Sequence, residues 1–251
     1  MLFAYKKRNC RDLSYLVNAE GKRLLEGLFF RSGHLYKLSG KERKLYGSLG
    51  LKTILDLRTD GEILKKPDDP IEGADSIHLA ILNAETLGIT HEKGLKGYRQ
   101  PPNMPELYAS IASNPDCYEK MGEALKAMLS LDDGPRLWHC TAGKDRAGIL
   151  TSLFLLALGY REEDIISDYC LSDGPNRKKG RLYRNLILIF MWKKDLAKAV
   201  YKAMLADREY LISAFNAMKE VAGSIEDYIH KMLGISEEQI AAFKAKFMVQ
   251  A

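Results

Sequence analysis

The chain has 251 residues, 46% of them hydrophobic, and a net charge of +5. This composition excludes a disordered or fibrous chain and is enough for one large domain or two small ones. The mild positive charge suits anionic partners such as phosphates, lipid headgroups or nucleic acid, or is simply a solvated basic surface. Cys10, Cys117, Cys140 and Cys170 are widely separated, with no Cys-x-x-Cys pair or Cys/His cluster, so no zinc site and reduced thiols are expected. The opening "MLFAYKKRNCRDL" lacks the apolar centre of a signal peptide. The longest apolar run, "ILTSLFLLAL", is about half the length of a membrane span. A soluble protein made in the cytoplasm is expected, with leaderless export left open.

In chain order, "YLVNAEGKRLLEGLFFRSG" reads as a hairpin turning at Asn-Ala-Glu-Gly. "SGKERKLYGSLG" reads as a short helix capped by Ser39 and ended by Gly50. "LKTILDLR" is an apolar run with the length of a buried strand, and "SIHLAIL" is a second one. Residues 85–115 hold glycines and prolines with little periodicity, which predicts a long loop or lid. Asn114 and Pro115 then open a helix. "PRLWHC" is a third strand, and "RAGILTSLFLLAL" is a helix apolar on nearly every side, ended by Gly159. "REEDIISDYCLS" has helical spacing, amphipathic stretches run from Leu182 to Val221, and Ser224 and Ser236 open further helices. Strands alternating with helices predict an α/β fold with a central, mostly parallel sheet flanked by helices and a helical C-terminal part.

The stretch "LWHCTAGKDRAG" carries the chemistry. Cys140 ends a strand, five residues separate it from Arg146, and a buried helix follows. A loop of that length curls its N–H groups around one anion, and the helix adds its positive end. Arg146 presents a two-pronged guanidinium to phosphate oxygens, and the same field favours a thiolate at Cys140. A thiolate beside a cradled phosphate is placed for in-line attack on phosphorus.

This loop resembles that of the cysteine-dependent protein tyrosine phosphatases. It is most similar to the bacterial branch, mycobacterial and Listeria-like, whose loop reads His-Cys-x-Ala-Gly-Lys-Asp-Arg-(Thr/Ser)-Gly. The likeness extends along the chain through "NCRDLSYL", "FFRSGHLYKLS", "GLKTILDLRTDGE", "LGYREEDIISDYCLSD" and "YLISAFNAMKEVAGSIEDYIHKMLGIS". It implies a single phosphatase domain over residues 1–251, with 85–115 as a lid insertion and 178–251 as a helical region. It also implies a metal-independent phosphatase without cofactor, acting on phosphotyrosine, with phosphoserine/threonine or phosphoinositides as further substrates. Cys140 is then the nucleophile and Arg146 the phosphate clamp. Thr141, Ala142, Gly143, Lys144 and Asp145 supply the cradle, with Gly143 permitting the turn.

The remaining roles are open at this level. His139 orients the loop by packing. Lys144 adds charge at the rim for multiply phosphorylated headgroups, or is merely solvated. No Trp-Pro-Asp loop is present to supply a general acid, which leaves Asp145, with Asp116, Glu85 and Glu106 as rivals. Glu62 or Asp56 braces a loop arginine, Arg58 touches substrate, and Arg31 and Ser32 act similarly, or each is structural. "NRKKGRLYR", residues 176–184, is a solvated helix start or a contact for anionic membrane or lipid. No nucleic-acid motif appears, and any membrane contact is peripheral. Ala147 departs from the branch, where a hydroxyl residue hydrogen-bonds the sulfur and helps it leave. Its presence predicts slow breakdown of a phosphoenzyme, or a phosphate-reading module with little turnover.

Overall fold

The computed structural model describes residues 6–81 and 103–251. In chain order the elements are β1 (Arg11–Asp12), β2 (Lys22–Leu24), β3 (Phe29–Gly33), α1 (Gly40–Ser48), β4 (Thr53–Asp56), α2 (Asp60–Lys65) and β5 (Asp75–His78). There follow α3 (Met104–Ser113), α4 (Pro115–Met128), β6 (Arg136–Cys140), α5 (Asp145–Ala157), α6 (Glu162–Cys170), α7 (Asp173–Met191) and α8 (Lys194–Met204). The chain ends with α9 (Arg208–Ala222), a turn α10 (Ile225–Asp227) widening into a π turn at Tyr228–Met232, α11 (Glu237–Phe247) and β7 (Met248–Gln250).

Among the described residues, five strands form one sheet in the order β1-β3-β6-β4-β5. All pairs are parallel except β1–β3. The expected mostly parallel sheet is therefore present, with β6 at its centre and every β6 residue buried. Side chains alternate across it as strand geometry requires. Phe29, Leu55 and Trp138 join the large core shared with α3, α4, α5, α9 and α11. Phe30, Ile54 and Leu137 join a smaller core with Tyr46 of α1 on the other face. The α7–α8 hairpin has its own small cluster of Ile187, Leu196, Ala197 and Val200.

Two expectations are corrected. No hairpin forms at residues 15–33: β2 pairs antiparallel with β7, the last strand of the chain, while β3 pairs parallel with β6. Turn-forming residues do not specify which edge a short strand finds, and the C-terminal edge competes better here. Second, the region expected as loop contains helix α3, opened by Asn103, whose side chain accepts from Glu106 N, and by Pro105 in its first turn. Tyr108 and Ile111 of that helix are fully buried. Glu85 lies outside the described residues. The C-terminal region is helical as expected, from α7 to α11, and closes with the short strand β7. No helix among the described residues is long and apolar enough to cross a membrane.

Candidate active site

Strand β6 delivers Cys140 to the sheet's carboxyl end, where Gly33 of β3 is its register partner. The chain then turns through 141–144 into α5. Gly143 sits at φ 65°, and a Cβ there would lie 2.5 Å from the Ser32 backbone, so only glycine fits. Lys144 occupies the N-cap of α5 without a side-chain cap bond, which leaves the first-turn N–H groups turned toward the loop.

Cys140, Thr141, Ala142, Lys144, Asp145 and Arg146 line one cavity of about 90 Å³, large enough for an oxyanion. Asn176, Lys179 and Tyr183 on one face of α7, Ala203 and Met204 of α8, and Lys66 complete its wall. Cations are graded across it. Lys144 and Arg146 are buried at the base, while Lys66 and Lys179 are exposed at the mouth.

Arg146 is held by Glu62 in a two-pronged fork, Nη1 to Oε2 at 2.6 Å and Nη2 to Oε1 at 2.9 Å. The Thr141 hydroxyl donates to Glu62 Oε1 as well. Burial alone would raise the Glu62 carboxyl, but the hydrogen bonds and charge of Arg146, with Thr141, outweigh it and hold it well below the ordinary carboxylate range. Glu62 also closes a capping box with Thr59 at the start of α2. The Thr-x-x-Glu spacing is the sequence signal for this short helix.

Asp56 contacts no loop arginine. It takes Arg58, Nη2 to Oδ2 at 2.6 Å. Arg58 is buried, paired also with Asp68 and the Lys66 carbonyl, and is outside the cavity lining. His139 is fully buried, its Nε2 3.0 Å from Asp68 Oδ2 and its Nδ1 3.8 Å from Asp56 Oδ1. These three residues bring potential metal-ligand atoms within 4.8 Å of one another. Arg58 donates into both carboxylates, however, and already supplies the positive charge a cation would bring.

Lys144 is not a rim residue. Its Nζ donates to the Ala203 carbonyl at 2.6 Å and the Leu205 carbonyl at 3.1 Å, and lies 3.0 Å from Asp145 Oδ1. Asp145 Oδ1 also accepts from Tyr108 Oη at 2.6 Å, and Tyr108 meets Tyr169 Oη at 2.7 Å. Of the rival acids, Glu106 bonds Asn103 and Asp116 opens α4, neither in the cavity lining.

Behind the loop lies a buried hydrogen-bond network. Arg31 donates to the Gly143 carbonyl at 2.9 Å and to Asp168 at 2.9 Å. Asn9, itself at φ 56°, donates to the same Gly143 carbonyl at 2.8 Å and to the Ser172 hydroxyl at 3.0 Å. Arg11 forks Asp168, Nε to Oδ1 at 2.7 Å and Nη2 to Oδ2 at 2.9 Å. Ser32 instead bonds Tyr46 Oη at 2.8 Å. The quoted segments around Asn9, Arg31 and Asp168 thus meet at the back of one loop.

A family model described as the tyrosine phosphatase family matches residues 5–249. A Cupriavidus necator protein named as a tyrosine-protein phosphatase is 29% identical over 244 residues, 92% of this chain and 84% of its own. The triple specificity protein phosphatase PtpB of Mycobacterium tuberculosis is 27% identical over 265 residues, 92% and 93% of the two chains. A tyrosine-protein phosphatase of Nostoc commune is 28% identical over 146 residues, 57% and 48%. With the match spanning nearly the whole chain, sheet and loop included, this protein belongs to the tyrosine phosphatase family and is a phosphoric monoester hydrolase.

Proposed function

We propose that hydrolysis proceeds through a cysteinyl-phosphate. The observation that carries this reading is the shared cavity of Cys140 and Arg146, with Arg146 fixed by Glu62. The phosphoryl group sits on the N–H groups of 141–146, two of its oxygens clamped by Arg146. The Cys140 thiolate attacks phosphorus in line with the ester oxygen. The S–P bond forms as the P–O ester bond breaks, and the leaving oxygen takes a proton from Asp145, the carboxyl on the cavity wall. Water then attacks the phosphorus, Asp145 takes its proton, and the S–P bond breaks to return the thiolate and release inorganic phosphate. His139, Asp56, Arg58 and Arg31 serve as supports behind or beside the loop.

The substrates are phosphotyrosine in proteins and, beyond it, phosphoserine/threonine or phosphoinositides. Lys66, Lys144 and Lys179 around the cavity favour ligands with more than one negative charge, and the Mycobacterium tuberculosis relative is named for triple specificity. The loop belongs to the His-Cys-x-Ala-Gly-Lys-Asp-Arg type. One residue, Ala147, favours a second reading, a phosphate-binding module of low turnover.

The test is phosphate release from an aryl phosphate. It is expected to be blocked by vanadate, indifferent to a chelator, and reduced on the order of 10⁴-fold or more in Cys140→Ser. The same variant should still bind vanadate by calorimetry. Turnover surviving in Cys140→Ser, or lost to the chelator, would refute the cysteine mechanism.

A further inference from the structure

Large apolar side chains are exposed at scattered positions over the surface, but five fall on α7 and its end, four of them between residues 188 and 192 at the tip of the α7–α8 hairpin. Leu182, Leu188, Ile189, Phe190 and Trp192 are exposed, Phe190 by 76% and Trp192 by 87%. Leu182 and Ile189 are seven residues apart and so share one face of α7. The hairpin does not need them for its own packing, because Ile187, Leu196, Ala197 and Val200 already form its inner cluster. Trp192 takes the left-handed conformation at the end of α7, φ 55°, where glycine is the usual residue. That placement puts an exposed indole at the apex, outside the hydrophobic clusters of the described residues.

Charge identifies what the apex meets. Lys193, Lys194 and Lys198 follow it directly, all exposed, against a single carboxylate in that stretch, Asp195. An indole and a phenyl ring beside lysines is the composition that settles at the headgroup level of a bilayer, rings among the upper acyl chains and ammonium groups on anionic headgroups. A protein partner would have to offer a groove shaped to this convex apex, whereas a fluid lipid surface accepts it. No helix among the described residues is long and apolar enough to cross a membrane, and the contact proposed is superficial.

We propose that the tip of the α7–α8 hairpin docks the enzyme on anionic lipid bilayers. The two helices that carry the tip also wall the cavity through Lys179, Tyr183, Ala203 and Met204. Docking therefore holds the site at a lipid surface, whichever phosphate ester it hydrolyses.

The chain provides its own reporter. It has two tryptophans, and Trp138 is fully buried with its Nε1 bonded to Thr151. A change of emission on binding is thus assigned to Trp192. The full chain is mixed with vesicles of phosphatidylcholine and phosphatidylserine, which carry no phosphomonoester, so the result does not depend on turnover. Expected are a blue shift of emission and co-sedimentation, both much weaker with phosphatidylcholine alone. The double variant Ile189→Ser/Phe190→Ser, which keeps Trp192, should lose binding at least tenfold while retaining its activity on a soluble aryl phosphate. Lys193→Gln/Lys194→Gln should lose the preference for phosphatidylserine. Four results would overturn the proposal: no sedimentation of the wild type, unchanged binding by the double variant, tryptophan emission in buffer that shows Trp192 already covered, or a tip that mediates self-association without binding vesicles.

Discussion

Ala147 is the residue that bears on the second step of the proposed mechanism. It is fully buried immediately after Arg146, and its carbonyl accepts from the Thr151 hydroxyl at 2.5 Å. In the proposed second step, no hydroxyl at position 147 is available to help the Cys140 sulfur leave. Rapid-quench kinetics with an aryl phosphate should show a burst followed by slower turnover. Ala147→Thr should shrink the burst and speed the steady state, provided the variant keeps its thermal midpoint. A Thr variant of unchanged midpoint and unchanged turnover would remove the assignment. Cys140 and Arg146 stood out in the sequence because the whole stretch "HCTAGKDRAG" lies between an apolar strand and a buried helix; their spacing alone is common by chance. Tyr108 was not legible, since nothing local tells a buried tyrosine from one aimed at Asp145.

At the scale of elements, α2 is the least conspicuous helix in the sequence and holds Arg146. Its six residues are opened by the Thr59–Glu62 box, and the same Glu62 carboxylate grips Arg146. The helix N-terminus thereby sets the guanidinium plane before any substrate arrives. Glu62→Gln keeps the shape of the side chain and removes the charge. The prediction is a fall in kcat/KM of about 10–100-fold, equivalent to roughly 1.4–2.7 kcal/mol for a lost charge-assisted fork. The circular dichroism spectrum should stay unchanged. Because Glu62 is held ionised far below its ordinary range, it should add no limb to the pH–rate profile near neutrality. Helix α3 was hidden for a different reason. Its sequence "MPELYASIAS" follows a long stretch rich in glycine and proline, so composition averaged over the whole window conceals the caps at Asn103 and Pro105.

Across the whole molecule, the deepest electrostatic feature is one carboxylate shared by two guanidiniums. Asp168 of α6 binds Arg11 of β1 and Arg31 of β3, and accepts from Tyr15 Oη at 2.6 Å. Burial opposes its ionisation, but the two arginines and Tyr15 win and bring its carboxyl down to about 2. A depressed carboxyl contributes stability above its unfolded value, near 3.8, and loses it as pH falls toward 2. That contribution is on the order of 2 kcal/mol. Urea unfolding should therefore give similar stability at pH 5 and pH 7 as far as Asp168 is concerned, and a marked drop by pH 3. Asp168→Asn leaves buried guanidiniums without their counter-charge, at a cost of about 3–5 kcal/mol at neutral pH, and should flatten the acid dependence. An equal acid loss in wild type and variant would show that the stability resides elsewhere.

Sequence alone established the α/β class, the strand–loop–helix passage around Cys140, and the mostly parallel character of the sheet. Each of these depends on local patterns: apolar runs, cap residues, and the spacing of Cys140 from Arg146. Tertiary structure decided the rest. It gave Glu62 rather than Asp56 to Arg146, sent Arg58 to Asp56 and Asp68, and buried Lys144 under the carbonyls of α8 and the residue beyond it. It also paired β2 with the distant β7. The physical reason is common to all of these. A charged or edge group chooses among partners far apart in the chain by which lies within hydrogen-bond reach once the core has closed, and sequence spacing carries no record of that distance.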